Sequence, residues 1–455
     1  MTARPSTPAH TGSPSGDGQF RRVLGLPTLV LLGLVYMVPL TIFTTYGIVT
    51  QITGGRLPVA YAVTLVVMLF TARSYGRMAA AIPVSGSAYA YVSHSFGPAT
   101  GFIAGWSLLL DYMFLPMINY LVIGIFLGAA LPMVPTWVIV LASILLVTAV
   151  NVAGITSIAR ANLAIVAIQG VFIVVFVVLA VVRLTGSGTV DPLAPIVGTG
   201  DGDLAGLLGG AAILCLSFLG FDAISTFAEE SRDARRLIPR AIMLTTLLAG
   251  MIFIVLAYLS YLVLPTTTFA DVDSASLEVV ATVGGSFLSI FFTAAYVAGS
   301  LGSALTSQAS VSRIIYAMGR DGVLPRRVFG RLSGRGAPVA GIVATSAVAL
   351  LALVLSLTTI SSLISFGALV AFSMVNLSVI KHYAVDGRRR QSPADIASFI
   401  VLPLIGFIST VWLWTSLSGL TLVVGLCWAA VGFGYLLVLT RGFRRPTPQL
   451  DLKEV

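Results

Sequence analysis

The chain has 455 residues, of which 57% are hydrophobic and only 9% charged, with a formal net charge of +9. An average globular protein is about 25% charged, and so few charges cannot cover a water-exposed surface of this size. The mean hydropathy of +1.00 agrees. Together these values exclude a soluble globular protein and point to an all-α integral membrane protein.

Residues 1–22 are rich in Pro, Ser, Thr and Gly and hold no apolar core, so they read as a disordered tail and not as a signal peptide. Beyond them, long uncharged runs follow one another to about residue 440. A helix that crosses hydrocarbon needs about 20 apolar residues. By that measure the runs resolve into helices over 26–50, 57–77, 98–131, 136–154, 160–184, 205–228, 240–264, 284–316, 339–357, 360–381, 396–416 and 419–440, an expectation of 12 transmembrane helices. Three runs are too long for one crossing and read as hairpins. They turn at Pro132-Met133-Val134-Pro135, at Thr358-Thr359 and between Ser416 and Gly419, where turn formers or polar residues interrupt the apolar pattern.

Of 26 Lys and Arg, only Arg56 and Arg183 fall on one side of this arrangement. The opposite side carries Arg232 to Arg240, Arg320 to Arg335, Arg388 to Arg390 and both tails. Cytoplasmic loops collect Lys and Arg, so the pattern puts both termini in the cytoplasm of a plasma (inner) membrane protein. Topology and anionic lipid account for the basic balance without any nucleic acid.

The first and sixth predicted helices start on opposite sides of the membrane, and both are interrupted. The first holds Pro39 and Gly47 around Thr41, Thr44, Thr45 and Tyr46; the sixth holds Ser217, Gly220 and Asp222 within an otherwise apolar span. Corresponding breaks in two halves of opposite orientation are the mark of an inverted-repeat transporter, because unwound backbone can bind a polar ligand at mid-depth. Pro and Gly also occur in membrane helices simply as kinks.

Two carboxylates lie at that depth. Asp111 is about 13 residues into the third predicted helix, roughly 20 Å at 1.5 Å per residue. Asp222 is about 17 residues into the sixth, which runs the other way. A charge there costs at least ~2.5–3.5 kcal/mol and needs a partner, a proton or water. No Lys or Arg lies at the same depth. Tyr112 beside Asp111 offers a ring face to an ammonium group. On the eighth helix Ser303 and Ser307 share a face, a spacing that suits helix packing and equally a Na⁺ site.

Other chemistries are disfavoured. Cys215 and Cys427 both sit inside apolar runs, so neither a disulfide framework nor a thiolate metal site is expected. His10, His94 and His382 fall outside the predicted helices, against haem or copper ligation within the bilayer. No Gly-Lys-Ser/Thr phosphate loop is present. No cofactor, no metal and no enzymatic activity are expected.

Four stretches carry a resemblance: VSGSAYAYVSHSFGPATGF (84–102), GWSLLLDYMFLPMIN (105–119), SFLGFDAISTFAEESRDARRLIPRAI (217–242) and SRIIYAMGRDGVLP (312–325), together with GLVYMVP and YGIVTQITGG. In order and spacing these are similar to the amino acid–polyamine–organocation superfamily of permeases, and most like its bacterial putrescine importers. The resemblance implies a five-plus-five inverted repeat with helices 1 and 6 broken and two helices appended. The first repeat would span 23–184, the second 205–381, helices 11 and 12 396–440, and a tail 441–455. It also implies secondary-active import, with substrate held between helices 1, 3, 6, 8 and 10. By position, Thr41, Phe43 and Thr44 come from helix 1, Asp111 and Tyr112 from helix 3, and Ser217, Phe218, Gly220 and Asp222 from helix 6. Ser303 and Ser307 complete the set from helix 8.

The departures bear on substrate. Most amino acid permeases have Gly-Ser-Gly-Ile-Phe at the helix 1 break, whose bare amides hold the substrate carboxylate. Here the slot reads Pro39-Leu40-Thr41-Ile42-Phe43, and proline has no N–H to offer. That suits a substrate without a carboxylate, such as a diamine. Putrescine importers of the family carry Asp just after that Phe, where this chain has Thr44. The fifth helix lacks the lysine of some proton-coupled members and holds neutral residues such as Asn162 and Gln169.

The leading expectation is a proton-coupled importer of a small amine, a polyamine such as putrescine or an amino acid, with Asp222 carrying the proton. Glu229 and Glu230 lie beside Arg232, Arg235 and Arg236 at the cytoplasmic end and are less suited to that task. A substrate exchanger and a Na⁺-coupled amino acid permease are the alternatives in the same class. A transport-inactive sensor or complex subunit is the alternative in another, weakened by tails too short for a folded domain. Monomer and homo-oligomer are both compatible with the sequence.

The topology can be checked with single cysteines, Ser187→Cys and Gly387→Cys, probed by an impermeant thiol reagent in intact cells. Labelling is expected at 187 and not at 387; the reverse pattern would overturn the orientation.

Overall fold

The computed structural model describes residues 24–83, 87–153, 158–186, 191–198, 203–320, 324–333 and 337–444. Residues 1–23, His10 among them, position 187 and residues 445–455 lie outside the described residues. Among those described, 11 helices are long and apolar enough to cross a membrane, with one shorter apolar helix, Val339–Leu353.

The first crossing is split. α1 (Leu26–Met37) gives way at Val38 to a 3-10 turn, Pro39–Phe43, and then to α2 (Tyr46–Ile52). Val38 has φ +48°, a conformation that a β-branched residue adopts only under constraint. α3 (Leu57–Ala81), α4 (Ser87–Phe96), α5 (Pro98–Ala130), α6 (Thr136–Ala153) and α7 (Ile158–Gly186) follow. After the short α8 (Ala194–Val197) comes α9 (Leu204–Phe218), whose N-terminal amide at Gly206 is capped by Asp203 at 2.6 Å. The chain unwinds over 219–222 and resumes as a 3-10 helix, Ala223–Glu230. α10 (Ala234–Val263), α11 (Ala275–Arg320), α12 (Arg326–Phe329) and α13 (Val339–Ala349) lead to α14 (Leu357–Val379), which continues as a π-helix through Asp386. α15 (Pro393–Ile396), a π-helical link over Ala397–Val401, α16 (Leu402–Thr415) and α17 (Gly419–Leu439) complete the chain.

Three boundaries differ from the sequence reading. The hairpin expected at Thr358-Thr359 turns at residues 354–356, because the Ser356 side chain accepts the Thr359 amide and draws both threonines into the first turn of α14. α13 is correspondingly short and ends in a 3-10 turn, Leu350–Leu353. The helix expected over 284–316 starts at a break in α11, where Gly284 and Gly285 are non-helical, the latter at φ +61°, and a shorter helical segment from Ala275 precedes it. α10 starts at Ala234 and not near 240, since arginines are good helix formers and their charge does not end a helix that is leaving the membrane. Two histidines also lie within helices: His94 in α4 and His382 in the π-helical end of α14, with ring centroids 5.6 Å apart.

The described helices carry most of their burial at the centre of the bundle. Of the 18-residue apolar stretch within Leu204–Ala228 and within Leu357–Asp386, 72% and 78% is buried, against 17% in α17, which leaves α17 at the periphery. α3 packs along α10, and α5 packs against both α11 and α14. The two interruptions meet. Gly220 adopts φ +124°, and a Cβ there would stand 3.0 Å from the Met37 amide nitrogen. Only glycine allows both the backbone turn and the approach. Ahead of α1, Leu24 is tied to the segment after the second break by Leu24 N–H to Glu230 O and Arg232 N–H to Leu24 O, both 3.1 Å.

Replacing Gly220→Ala should therefore destabilise the bundle by about 1–3 kcal/mol. Cys215 is fully buried five residues before this break, so its reactivity toward a thiol dye on heating, in a Cys427→Ser background, reports the midpoint. An unchanged midpoint would show that the two breaks do not depend on this contact.

Candidate functional site

The two breaks open onto one cavity. It has a volume of about 50 Å³ and is walled by the end of α1, the following 3-10 turn, α5, the break after α9, and α11. Asp111 and Asp222 both line it, and both are only 4% exposed. Neither Lys nor Arg is among the lining residues.

The two carboxylates are held differently. Asp222 follows the break directly, and its Oδ1 accepts the Gly220 N–H at 3.2 Å. Its carbonyl accepts both the Ser225 N–H at 3.0 Å and the Ser225 hydroxyl at 2.6 Å, which start the 3-10 helix. Asp111 projects from the middle of α5, and its Oδ1 is buried without a hydrogen-bond partner. A buried carboxylate oxygen in that state is costly unless a ligand or water supplies the missing donor.

Around the acids stand hydroxyls, one amide and three tyrosine rings. Thr41 donates to the carbonyls of Met37 and Val38 at 3.0 and 2.5 Å, and so caps the broken end of α1. Thr44 is hydrogen-bonded to Tyr296. Asn119 donates to Leu115 O at 2.8 Å and to Ser303 Oγ at 3.1 Å, joining α5 to α11. Tyr36, Tyr112 and Tyr296 contribute aromatic walls, suited to the hydrocarbon and charge of an organic ammonium.

The backbone of the first break has few free donors. Thr41 N–H bonds to Val38 O at 2.8 Å and Thr44 N–H to Thr41 O at 3.0 Å. Residue 39 is proline and has no N–H.

Of the residues nominated from sequence, Thr41, Thr44, Asp111, Tyr112, Gly220, Asp222 and Ser303 line this cavity. The other four lie elsewhere. Phe43 packs edge-on against Phe172, Phe176 and Phe292, with centroids 5.2–6.1 Å apart. Ser217 is bonded to the Tyr61 hydroxyl at 3.0 Å, and Phe218 packs on Phe253 at 5.5 Å. All three point away because α9 and the 3-10 turn each turn only one face to the cavity. Ser307 donates to Ser303 O at 2.6 Å and lines a second cavity with Thr306, Gln169 and Val38. The side-chain nitrogen and oxygen of Gln169 are both buried there without a partner.

Tyr36, Asn119, Tyr296 and Ser300 line the first cavity and were not anticipated. Asn119 could have been found, since positions 111, 115 and 119 form one stripe along α5. Tyr296, Ser300 and Ser303 likewise recur at helical spacing on α11. Among the described residues, no group of three or more His, Cys, Asp or Glu gathers to hold a metal ion.

Comparison with known proteins places this geometry. The sequence profile of the amino acid permease family matches residues 28–440. The chain is 41% identical over 438 residues to the low-affinity putrescine importer PlaP of Escherichia coli K12, covering 95% of this chain and 97% of that protein. It is 30% identical to the uncharacterized transporter Rv1999c of Mycobacterium tuberculosis, over 94% of each chain. It is 27% identical to the branched-chain amino acid permease BcaP of Lactococcus lactis, over 92% of this chain and 95% of that one. The chain is a multi-pass membrane transporter and not an enzyme, and it belongs to the amino acid permease family.

Proposed function

We propose that this permease is a secondary-active importer of a small organic cation, of the diamine class that includes putrescine. The observation that carries the reading is the pairing of Asp111 and Asp222 on one buried cavity that no basic residue lines. A negative field in low dielectric attracts ammonium and repels carboxylate. The unpartnered Asp111 Oδ1 supplies one ammonium site, and the tyrosines flank a methylene chain. The occupied amides of the first break leave little to hold a substrate carboxylate, which supports a diamine over an α-amino acid. The 41% identity to a putrescine importer agrees with this reading.

The coupling ion in this proposal is a proton, carried by Asp222. Asp222 takes a proton from the outer side as Asp111 takes the ammonium, and both leave together on the inner side, so substrate and proton are carried inward in the same cycle. Its place beside the Gly220 hinge joins that protonation to the relative movement of the two breaks. The reading includes 12 crossings, with α13 as the short one, inverted repeats over 23–184 and 205–381, and both termini in the cytoplasm. A Na⁺-coupled permease is the second reading, favoured only by the hydroxyls of Ser303, Thr306 and Ser307 around the second cavity.

Proteoliposome uptake of labelled putrescine, spermidine and a panel of amino acids, with and without a proton gradient, tests the class. Putrescine should accumulate only with the gradient inward and acid outside. Asp111→Asn should weaken diamine transport by about tenfold to a hundredfold, the loss of one charge-assisted hydrogen bond, while changing residual neutral amino acid uptake much less. Strong wild-type uptake of Asp or Glu would contradict the cationic site.

Asp222→Asn should bind substrate weakly and lose accumulation against a gradient, while downhill exchange survives because the amide mimics the protonated acid. Unaltered accumulation with an unchanged pH dependence would move the proton to another group, with Asp111 the next to test.

A further inference from the structure

A second concentration of charge lies far from the substrate cavity, on the face of the bundle where α3 ends and α10 begins. Arg73, Gly76, Arg77 and Ala80 share one face of α3, while Arg235, Arg236, Pro239 and Arg240 share the facing side of α10. The helices close on each other at the base of this groove: a Cβ on Gly76 would lie 3.1 Å from Pro239 Cα. Residues of both helices line an open groove of about 660 Å³.

Five guanidinium groups therefore converge on one space. The deeper two are fixed by neutral partners. Arg73 and Arg77 each donate to the same Ser398 hydroxyl at 3.1 Å, and Arg77 also lies 5.3 Å from the centre of the Phe399 ring. Arg73 Nε is buried with no acceptor. Among the described residues, the one ion pair reaching this group joins exposed Arg236 to Asp233 at 3.7 Å. Like charges held this close in a partly desolvated groove repel unless an anion joins them. The N-terminal end of α10 adds the positive end of a helix dipole.

The groove also has an apolar exit. Met243 and Leu244 form its outer wall. From Leu244 an exposed apolar stripe continues along α10 through Leu248, Met251 and Val255. A charged head and a continuous apolar track at the membrane boundary match a phospholipid better than a free ion.

We propose that this groove seats an anionic phospholipid, its phosphate among the arginines and an acyl chain along the α10 stripe. Under the topology proposed above, the lipid comes from the cytoplasmic leaflet. It would clamp α3 to α10, the helix that packs on both α1 and the 3-10 segment following Asp222.

The test measures binding of fluorescent phosphatidylglycerol to the full chain in a neutral detergent, with phosphatidylcholine of the same chains as the control for charge. Phosphatidylglycerol should bind the more tightly, and Arg73→Gln with Arg240→Gln should weaken it by about twenty-five-fold, each arginine contributing about fivefold. Arg388→Gln with Arg390→Gln, outside the groove, should leave it unchanged. Should the groove double variant unfold, seen as native-state reactivity of Cys215, the exposed Arg240→Gln alone should still show its fivefold loss. Equal binding of the two lipids would overturn the proposal, as would undiminished phosphatidylglycerol binding in the groove variants. Displacement of the lipid by millimolar inorganic phosphate would overturn it too, in favour of a free-anion site.

Discussion

Hydrocarbon offers no partner for an unpaired backbone group, so a helix can break within a membrane only where protein encloses the break. The rest of this structure follows from that constraint. The interruption after Met37 and the interruption after Phe218 are pressed against each other, with Gly220 shaped to let the Met37 amide approach. Thr41 and Ser225 return hydroxyls to the carbonyls freed on either side. These carbonyls are thus satisfied from within, and the space left between the breaks is the cavity that Asp111 and Asp222 line.

The same constraint sorts the charges. A carboxylate in the bundle needs a donor, and Asp222 finds one in the Gly220 amide of its own break. Asp111 has no such amide within reach of Oδ1, because α5 is intact around it and spends its N–H groups on its own ladder. Two acids that look equivalent in sequence therefore differ: one is bound to the amide of its own break, the other has a buried oxygen without a partner. No arginine lines that cavity, while five gather in the groove between α3 and α10. Acid at the centre and base at one edge give a cation a favourable place inside and give an anion one only at the rim.

Family and class were legible without coordinates, because a membrane span is a local property of about 20 residues and the motifs that carry the resemblance are contiguous. The breaks were legible for the same reason: Pro39 and Gly220 stand out within apolar runs. Helix ends were less so. Ser356 moved a turn by capping, and α10 began earlier than its apolar stretch, since a helix continues past the hydrocarbon wherever its residues allow.

Sequence alone determined that the chain crosses the membrane many times, that Pro39 and Gly220 interrupt two of its apolar runs, and that Asp111 and Asp222 lie within predicted helices. Those are consequences of composition and spacing along one element. Which side chains share the cavity was decided only by tertiary structure. A residue one position along a helix turns about 100° away, so Ser217 and Phe218 face Tyr61 and Phe253 while Leu216 and Gly220 face the acids. Tyr36, Asn119 and Tyr296 reach the site because α1, α5 and α11 converge there, and the convergence of five arginines from α3 and α10 has the same origin. Facing between helices depends on rotation and packing across the bundle, which no single stretch of sequence contains.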